Sequence, residues 1–262
     1  MNSRGAAVPT SLSFDAAHFM LLSAVTAIFM LAGFVKGVVG LGLPTVAVGL
    51  LGLFMPPLQA AALLIVPSLV TNVWQLLAGG RFMWLLRRLW LMLLGIFVGT
   101  LLGANFLVIE ASGRATVFLG LALVAYAVLG LAAVKFSVSA GREKYLSPLI
   151  GLTTGLVTAA TAVFVIPAVP YLQALNLEKD ELIQALGLSF TVSTIAMAAG
   201  LAQGGALQTE GAAISLMALV PALGGMFIGQ WLRGKISAAL FRRCFFIGLL
   251  LLGLHLSSHL WR

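Results

Sequence analysis

Gly33-Phe34-Val35-Lys36-Gly37 returns as Gly151-Leu152-Thr153-Thr154-Gly155, 118 residues further along the chain. The first copy leads into Gly40-Leu41-Gly42-Leu43-Pro44, and the second runs through Ala159-Ala160-Thr161-Ala162 to Val165-Ile166-Pro167. Two hydrophobic stretches interrupted at corresponding places in two halves point to the binding region of a secondary transporter. Broken helix in a membrane is tolerated only where protein or a cavity satisfies its backbone.

Composition places these breaks in a bilayer. The chain has 262 residues, of which 61% are hydrophobic and 8% charged, and its mean hydropathy is +1.12. That is more apolar surface than one soluble core can hide. The apolar runs are helix-length, which implies an all-α polytopic transmembrane bundle rather than a barrel. The formal charge of +8 resides in short loops between spans, as expected for loops retained on the cytoplasmic side, and does not indicate nucleic-acid binding. No cleavable signal sequence is recognised before the first apolar run near Phe19, so the mature chain is expected to begin near Met1. The single Cys244 excludes an internal disulfide.

Ten hydrophobic segments are predicted, at 16–38, 43–55, 57–78, 84–107, 114–134, 147–164, 165–176, 180–202, 210–232 and 239–260. A full crossing needs about 20 residues of helix, so the second and seventh are half-length pieces. The implied organisation is an N-terminal tail (1–15), a first transmembrane repeat (16–134), a cytoplasmic basic linker (135–146) and a second repeat (147–262). With a five-residue insertion, Ala62 to Gln75 falls on Ala185 to Ala198, and further on Gly95, Gly99 and Gly103 fall on Pro221, Gly225 and Gly229. The basic clusters Arg81/Arg87/Arg88, Lys135/Arg142/Lys144 and Arg233/Lys235/Arg242/Arg243 share one side only if the short segments count as crossings. Five segments per repeat, inverted with respect to each other and with both termini outside, satisfy the positive-inside rule.

The polar residues narrow the chemistry. Asp15, Glu110, Glu143, Glu178, Asp180, Glu181 and Glu210 all fall in predicted loops or at helix ends, so no buried carboxylate is available for cation coupling. Lys36 lies deep in the first hydrophobic run, beside Gly37 and before Gly40 and Gly42. Either it snorkels to the cytoplasmic interface, or it faces a polar cavity as the partner of an anion. Thr154, Thr158 and Thr161 occupy the positions equivalent to 36, 40 and 43, at i, i+4, i+7 on one helix face. Ser68, Thr71, Asn72 and Gln75 form a polar face on a segment kinked by Pro67, and Thr191 and Thr194 repeat it in the second half. Each such hydroxyl can also simply bond back to its own helix or join two helices. These thirteen residues are the candidate substrate-binding set. His255 and His259 have metal-compatible spacing but no visible third ligand, and they sit with Trp261 and Arg262 in an interfacial belt. No cofactor or metal is expected.

The order of Gly33-x3-Gly37-x2-Gly40-x-Gly42, an apolar run, a polar-faced helix and a second copy reaching Val165-Ile166-Pro167 resembles the sulfite exporter TauE/SafE family, also called the 4-toluene sulfonate uptake permease family. The resemblance covers about residues 19 to 256. It implies a bacterial inner-membrane, multi-pass transporter of a small anion such as sulfite, a sulfonate or a related organic anion. The chain departs from the family pattern where Leu41 and Leu43 intervene between the glycines of the first break and where Ala159-Ala160-Thr161-Ala162 replaces them in the second. A passive anion channel of the same architecture is the alternative reading. An intramembrane enzyme would need a nucleophile–base pair or metal cluster at membrane depth, and neither is found.

Overall fold

The computed structural model describes residues 10–109, 114–132, 137–205 and 209–258. Residues 1–9 of the expected tail, Glu110, Lys135, His259, Trp261 and Arg262 lie outside them. The described residues form ten helices: α1 Thr10–Val39, α2 Leu43–Leu51, α3 Pro57–Leu77, α4 Phe82–Ile109, α5 Arg114–Ala132, α6 Ala140–Thr161, α7 Ala168–Ala174, α8 Lys179–Gln203, α9 Thr209–Leu232 and α10 Ala238–Ser257. Seven of them, α1, α3, α4, α5, α8, α9 and α10, are long and apolar enough to cross a membrane.

The two short helices stop where the sequence interrupts them. α2 has nine residues and starts after Gly42 at φ 108 with Pro44 in its first turn. It spans about 13 Å at 1.5 Å per residue. α7 has seven residues and starts after Pro167. Both are shorter than the predicted segments 43–55 and 165–176, because Gly52 and the pair Leu175–Asn176 end them. α6 starts at Ala140, seven residues before the predicted 147. Ser139 stands at its N-cap and Pro148 is accommodated inside the helix.

Glycines set which long helices touch. A Cβ on Gly33 would lie 2.0 Å from the Ala222 carbonyl oxygen, and one on Gly37 2.2 Å from that of Met226, so α1 and α9 run parallel with their backbones in contact. The same happens between α6 and α4: Gly151 meets Met92 O at 2.1 Å and Gly155 meets Ile96 O at 2.4 Å. Small residues permit this approach in lipid, where packing rather than water expulsion drives association. The reciprocal contacts pair Gly95 with Pro148 and Leu152, and Gly225 with Met30 and Phe34. Positions 30 and 34 correspond to 148 and 152, so in space Gly225 matches Gly95. This shifts the sequence alignment, which sets Gly225 against Gly99, by one helical turn.

α3 and α8 cross antiparallel at the centre, with Gly187 against Asn72 and Leu76, and α5 pairs antiparallel with α10 through Gly120 and Gly253. α2 stands beside this last pair. Gly42 at its start faces Phe245, and Gly52 at its end faces Leu119. The half-helix thus travels from the end of the bundle where α10 begins to the end where α5 begins. Ion pairs Arg81–Glu181 (3.3 Å) and Arg88–Glu143 (2.8 Å) gather at the first of these ends.

Candidate anion-binding chamber

Lys36 sits on α1 four residues before the break and is 3% exposed. Its Nζ donates to Thr71 Oγ1 at 3.1 Å and to Asn72 Oδ1, both on α3. An ammonium offers donors only, which obliges Asn72 to turn its oxygen toward the lysine and its amide nitrogen away. That nitrogen donates to Ser68 Oγ at 2.9 Å and, at 3.5 Å, to Thr194 Oγ1 on α8. Thr194 gives its own proton to Phe190 O at 2.7 Å, so Ser68 is the donor in the 3.2 Å Ser68–Thr194 contact. Thr71 spends its proton on Pro67 O at 2.7 Å. Every donor in the cluster therefore points away from Lys36. The neighbouring groups hold the ammonium by their acceptors and have no proton left for a ligand.

Gln75 closes the next turn of α3. Its Nε2 donates to Gly40 O at 2.9 Å and to Ile183 O at 3.0 Å, fastening the end of α1 to α8. Gly40 has φ +83 and open space where a Cβ would be, so the break can present its backbone to a chamber. A cavity of about 290 Å³ opens here, lined among others by Lys36, Gly37, Gly40, Gln75, Asp180, Gln230 and Arg233. Gly37 also serves the α1–α9 contact, and Gly42 lies against Val35 and Phe245 rather than on this cavity.

The second-half candidates are placed differently. Thr154, Thr158 and Thr161 are buried and donate to Ile150, Thr154 and Val157 carbonyls of their own helix at 2.7–2.8 Å. Thr161 Oγ1 additionally accepts from Val163 N, which finishes the end of α6. Thr191 back-bonds to Gly187 O at 2.7 Å. Among the described residues, none of these four hydrogen-bonds to the Lys36 cluster. Of the thirteen, Lys36, Ser68, Thr71, Asn72 and Thr194 are brought together, with Gln75, Gly40 and Gly37 adjoining.

Several contributors are not evident from sequence. Gln184 on α8 donates to Leu76 O and Gly79 O and accepts from Arg81 N, capping the carbonyls that α3 leaves free at its C-terminus. Ser215 on α9 donates to Leu63 O, the carbonyl freed by Pro67 one turn later, and accepts from Val66 N. A proline in a helix signals that such a partner is needed, though not where it comes from. Asp180, Gln230 and Arg233 reach the chamber from helix ends whose loops look ordinary in sequence.

The sulfite exporter TauE/SafE family model matches residues 25–256. The chain belongs to this family of membrane transporters and is a multi-pass membrane protein, the class its helices and buried polar cluster define. No curated protein and no solved structure matches it.

Asn72→Leu keeps the side-chain volume near that of asparagine but removes both the acceptor for Lys36 and the donor to Ser68. The expected loss is about 1.5–3 kcal/mol, the range for a hydrogen bond to a charged group, read as a lowered midpoint of thermal unfolding in detergent. Thr153→Val, whose hydroxyl only back-bonds on α6, should change that midpoint by much less.

Proposed function

We propose that the protein is a secondary carrier for a small anion, sulfite or a sulfonate being the first candidates, with Lys36 as the positive centre of its binding chamber. The observation that carries this reading is the state of the Lys36 ammonium. It is almost fully buried, its partners Thr71 and Asn72 are neutral, and it lines a cavity whose rim adds Arg233 and one carboxylate, Asp180, which forms no ion pair with it among the described residues. A buried charge without a fixed counter-ion is costly, and an anion that comes and goes is the simplest compensation.

Alternating access around the breaks α1–α2 and α6–α7 fits the same geometry. On the side of Lys36 away from the cavity, the Asn72–Ser68–Thr194 chain ties α3 to α8, so the chamber is approached from the basic end. The pattern of helix contacts supports an inverted repeat. Exchanging α1–α5 for α6–α10 turns the α1–α9 contact into α6–α4, and α3–α9 into α8–α4, while α3–α8 and α5–α10 map onto themselves. The positive-inside rule then assigns the basic end to the cytoplasm of a bacterial inner membrane. In a protein with Cys244 replaced by Ser, cysteines at Gly80 and Gly204 are expected to be labelled from opposite sides of the membrane. Labelling of both from one side overturns the inversion.

Lys36→Met retains length and apolar bulk and deletes the charge. Sulfite affinity, measured by flux into proteoliposomes, is expected to fall by about 2–5 kcal/mol, as for truncating one partner of a buried charge pair, with the protein still inserted. Lys36→Arg should restore only part of it, since a planar fork does not fit the site of a compact ammonium. Unchanged affinity in the Met variant contradicts the assignment.

A further inference from the structure

We propose that the basic end carries a second anion site, a vestibule formed by Lys179, Arg233, Arg242 and Tyr126, through which the anion reaches the Lys36 chamber. This rests on the reading that the cargo is an anion. The vestibule is a separate cavity of about 490 Å³ between the ends of α1, α5, α7, α8 and α10. Three cations from three different parts of the chain line it, and among the described residues no carboxylate does. The ion pairs seen nearby, Arg81–Glu181 and Arg88–Glu143, occupy other basic residues. Cations of one sign around a concave, low-dielectric wall focus potential and raise the local concentration of small anions.

A buried group without a partner gives the vestibule a specific feature. Tyr126 is 3% exposed and its hydroxyl has no hydrogen-bond partner among the described residues. Buried tyrosine hydroxyls normally find one. Phe246 places it: the Tyr126 ring stands edge-on to Phe246 at 5.2 Å, and the Arg242 guanidinium lies over the same Phe246 ring at 5.5 Å. An anion held by Arg242 would offer the acceptor the hydroxyl lacks.

The two chambers are adjoining stations. Gly40, Ile183 and Arg233 line both. Between them the Gln75 amide holds the Gly40 and Ile183 carbonyls together. Release of that one clasp opens the way from the vestibule to Lys36, with Arg233 in reach of the anion on either side.

The test uses the full chain in nanodiscs of uncharged lipid, with Cys244→Ser and a reporter Gln173→Cys at an exposed position of the vestibule wall. A negatively charged methanethiosulfonate reagent is expected to modify the reporter at least about tenfold faster than its positively charged analogue at low salt, and inorganic sulfate is expected to slow it. The double variant Lys179→Gln/Arg242→Gln should lose both effects. Tyr126→Phe, which keeps the ring, should weaken sulfate protection several-fold while preserving the charge preference. Lys36→Met should leave both intact, so that failure of the vestibule and failure of the Lys36 assignment are told apart. Equal rates for the two reagents, or a preference unchanged by the double variant, overturn the proposal. If sulfate has no effect and anionic lipid in the disc blocks labelling instead, the cavity holds a lipid headgroup and the entry route is refuted.

Discussion

The structure depends on one constraint: a lysine ammonium taken out of water inside a helical membrane protein. Because Lys36 can only donate, it dictates the orientation of Asn72, whose amide then donates to Ser68, while the bond of Thr194 to Phe190 O leaves Ser68 to donate to Thr194. Three helices are thereby joined by one directional chain of hydrogen bonds. Moving an ion from water to a protein interior costs about several kcal/mol even after relaxation. Hydrogen bonds to a charged group return about 1.5–3 kcal/mol each. Two such bonds, to Thr71 and Asn72, offset part of this cost and leave the charge without an ion-pair partner among the described residues. That imbalance is why a passing anion, and not a further neutral side chain, completes the site in the proposed mechanism.

The scaffold around this charge is built from backbone contacts and not from more polar groups. Where Gly33 and Gly37 bring α1 onto α9, and Gly151 and Gly155 bring α6 onto α4, the helices touch carbonyl to Cα and leave no room for adjustment. The breaks supply the freedom those contacts deny. Beyond Lys36 the chain leaves the helix at Gly40 and restarts after Gly42, both at positive φ. The carbonyl of Gly40 is thereby free of the helix and accepts from Gln75. At the same end of the bundle, the bidentate Arg88–Glu143 pair and the Arg88 contact to Leu175 O tie α4 to α6 and the end of α7. Charge thus holds the start of α6 and the end of α7, away from the break between them, whereas the Gln75 amide holds the α1–α2 break itself.

The helical architecture was legible because hydrophobic run length and glycine, proline and loop punctuation both survive in the primary sequence. Ten predicted segments correspond to ten helices among the described residues. The boundaries moved where local stops acted earlier than hydropathy, as at Gly52, or where a polar first turn preceded the apolar part, as in α6. Lys36 and the face Ser68-Thr71-Asn72 stood out because polar groups at membrane depth are expensive and their spacing put them on one side of a helix. The same periodicity grouped Thr154, Thr158 and Thr161 correctly on a buried face, but a helix face does not name its neighbour, and these hydroxyls turn back onto α6. Gln184 and Ser215 were invisible for a different reason: each serves a carbonyl orphaned on another helix, a need created only when the helices assemble. The alignment of Gly95 with Pro221 failed by one turn because a stripe of small residues repeats every four positions and fits equally well in either register.

Locating a bound anion directly tests the central claim most sharply. Selenite, a heavier analogue of sulfite with strong scattering, can be soaked into the protein in uncharged-lipid nanodiscs and its position read from a cryo-electron microscopy map. Density is expected in the chamber between α1, α3 and α9, within hydrogen-bonding distance of Lys36 Nζ and absent from the Lys36→Met protein. Selenite held elsewhere in the bundle, with Lys36 still bonded only to Thr71 and Asn72, would contradict it.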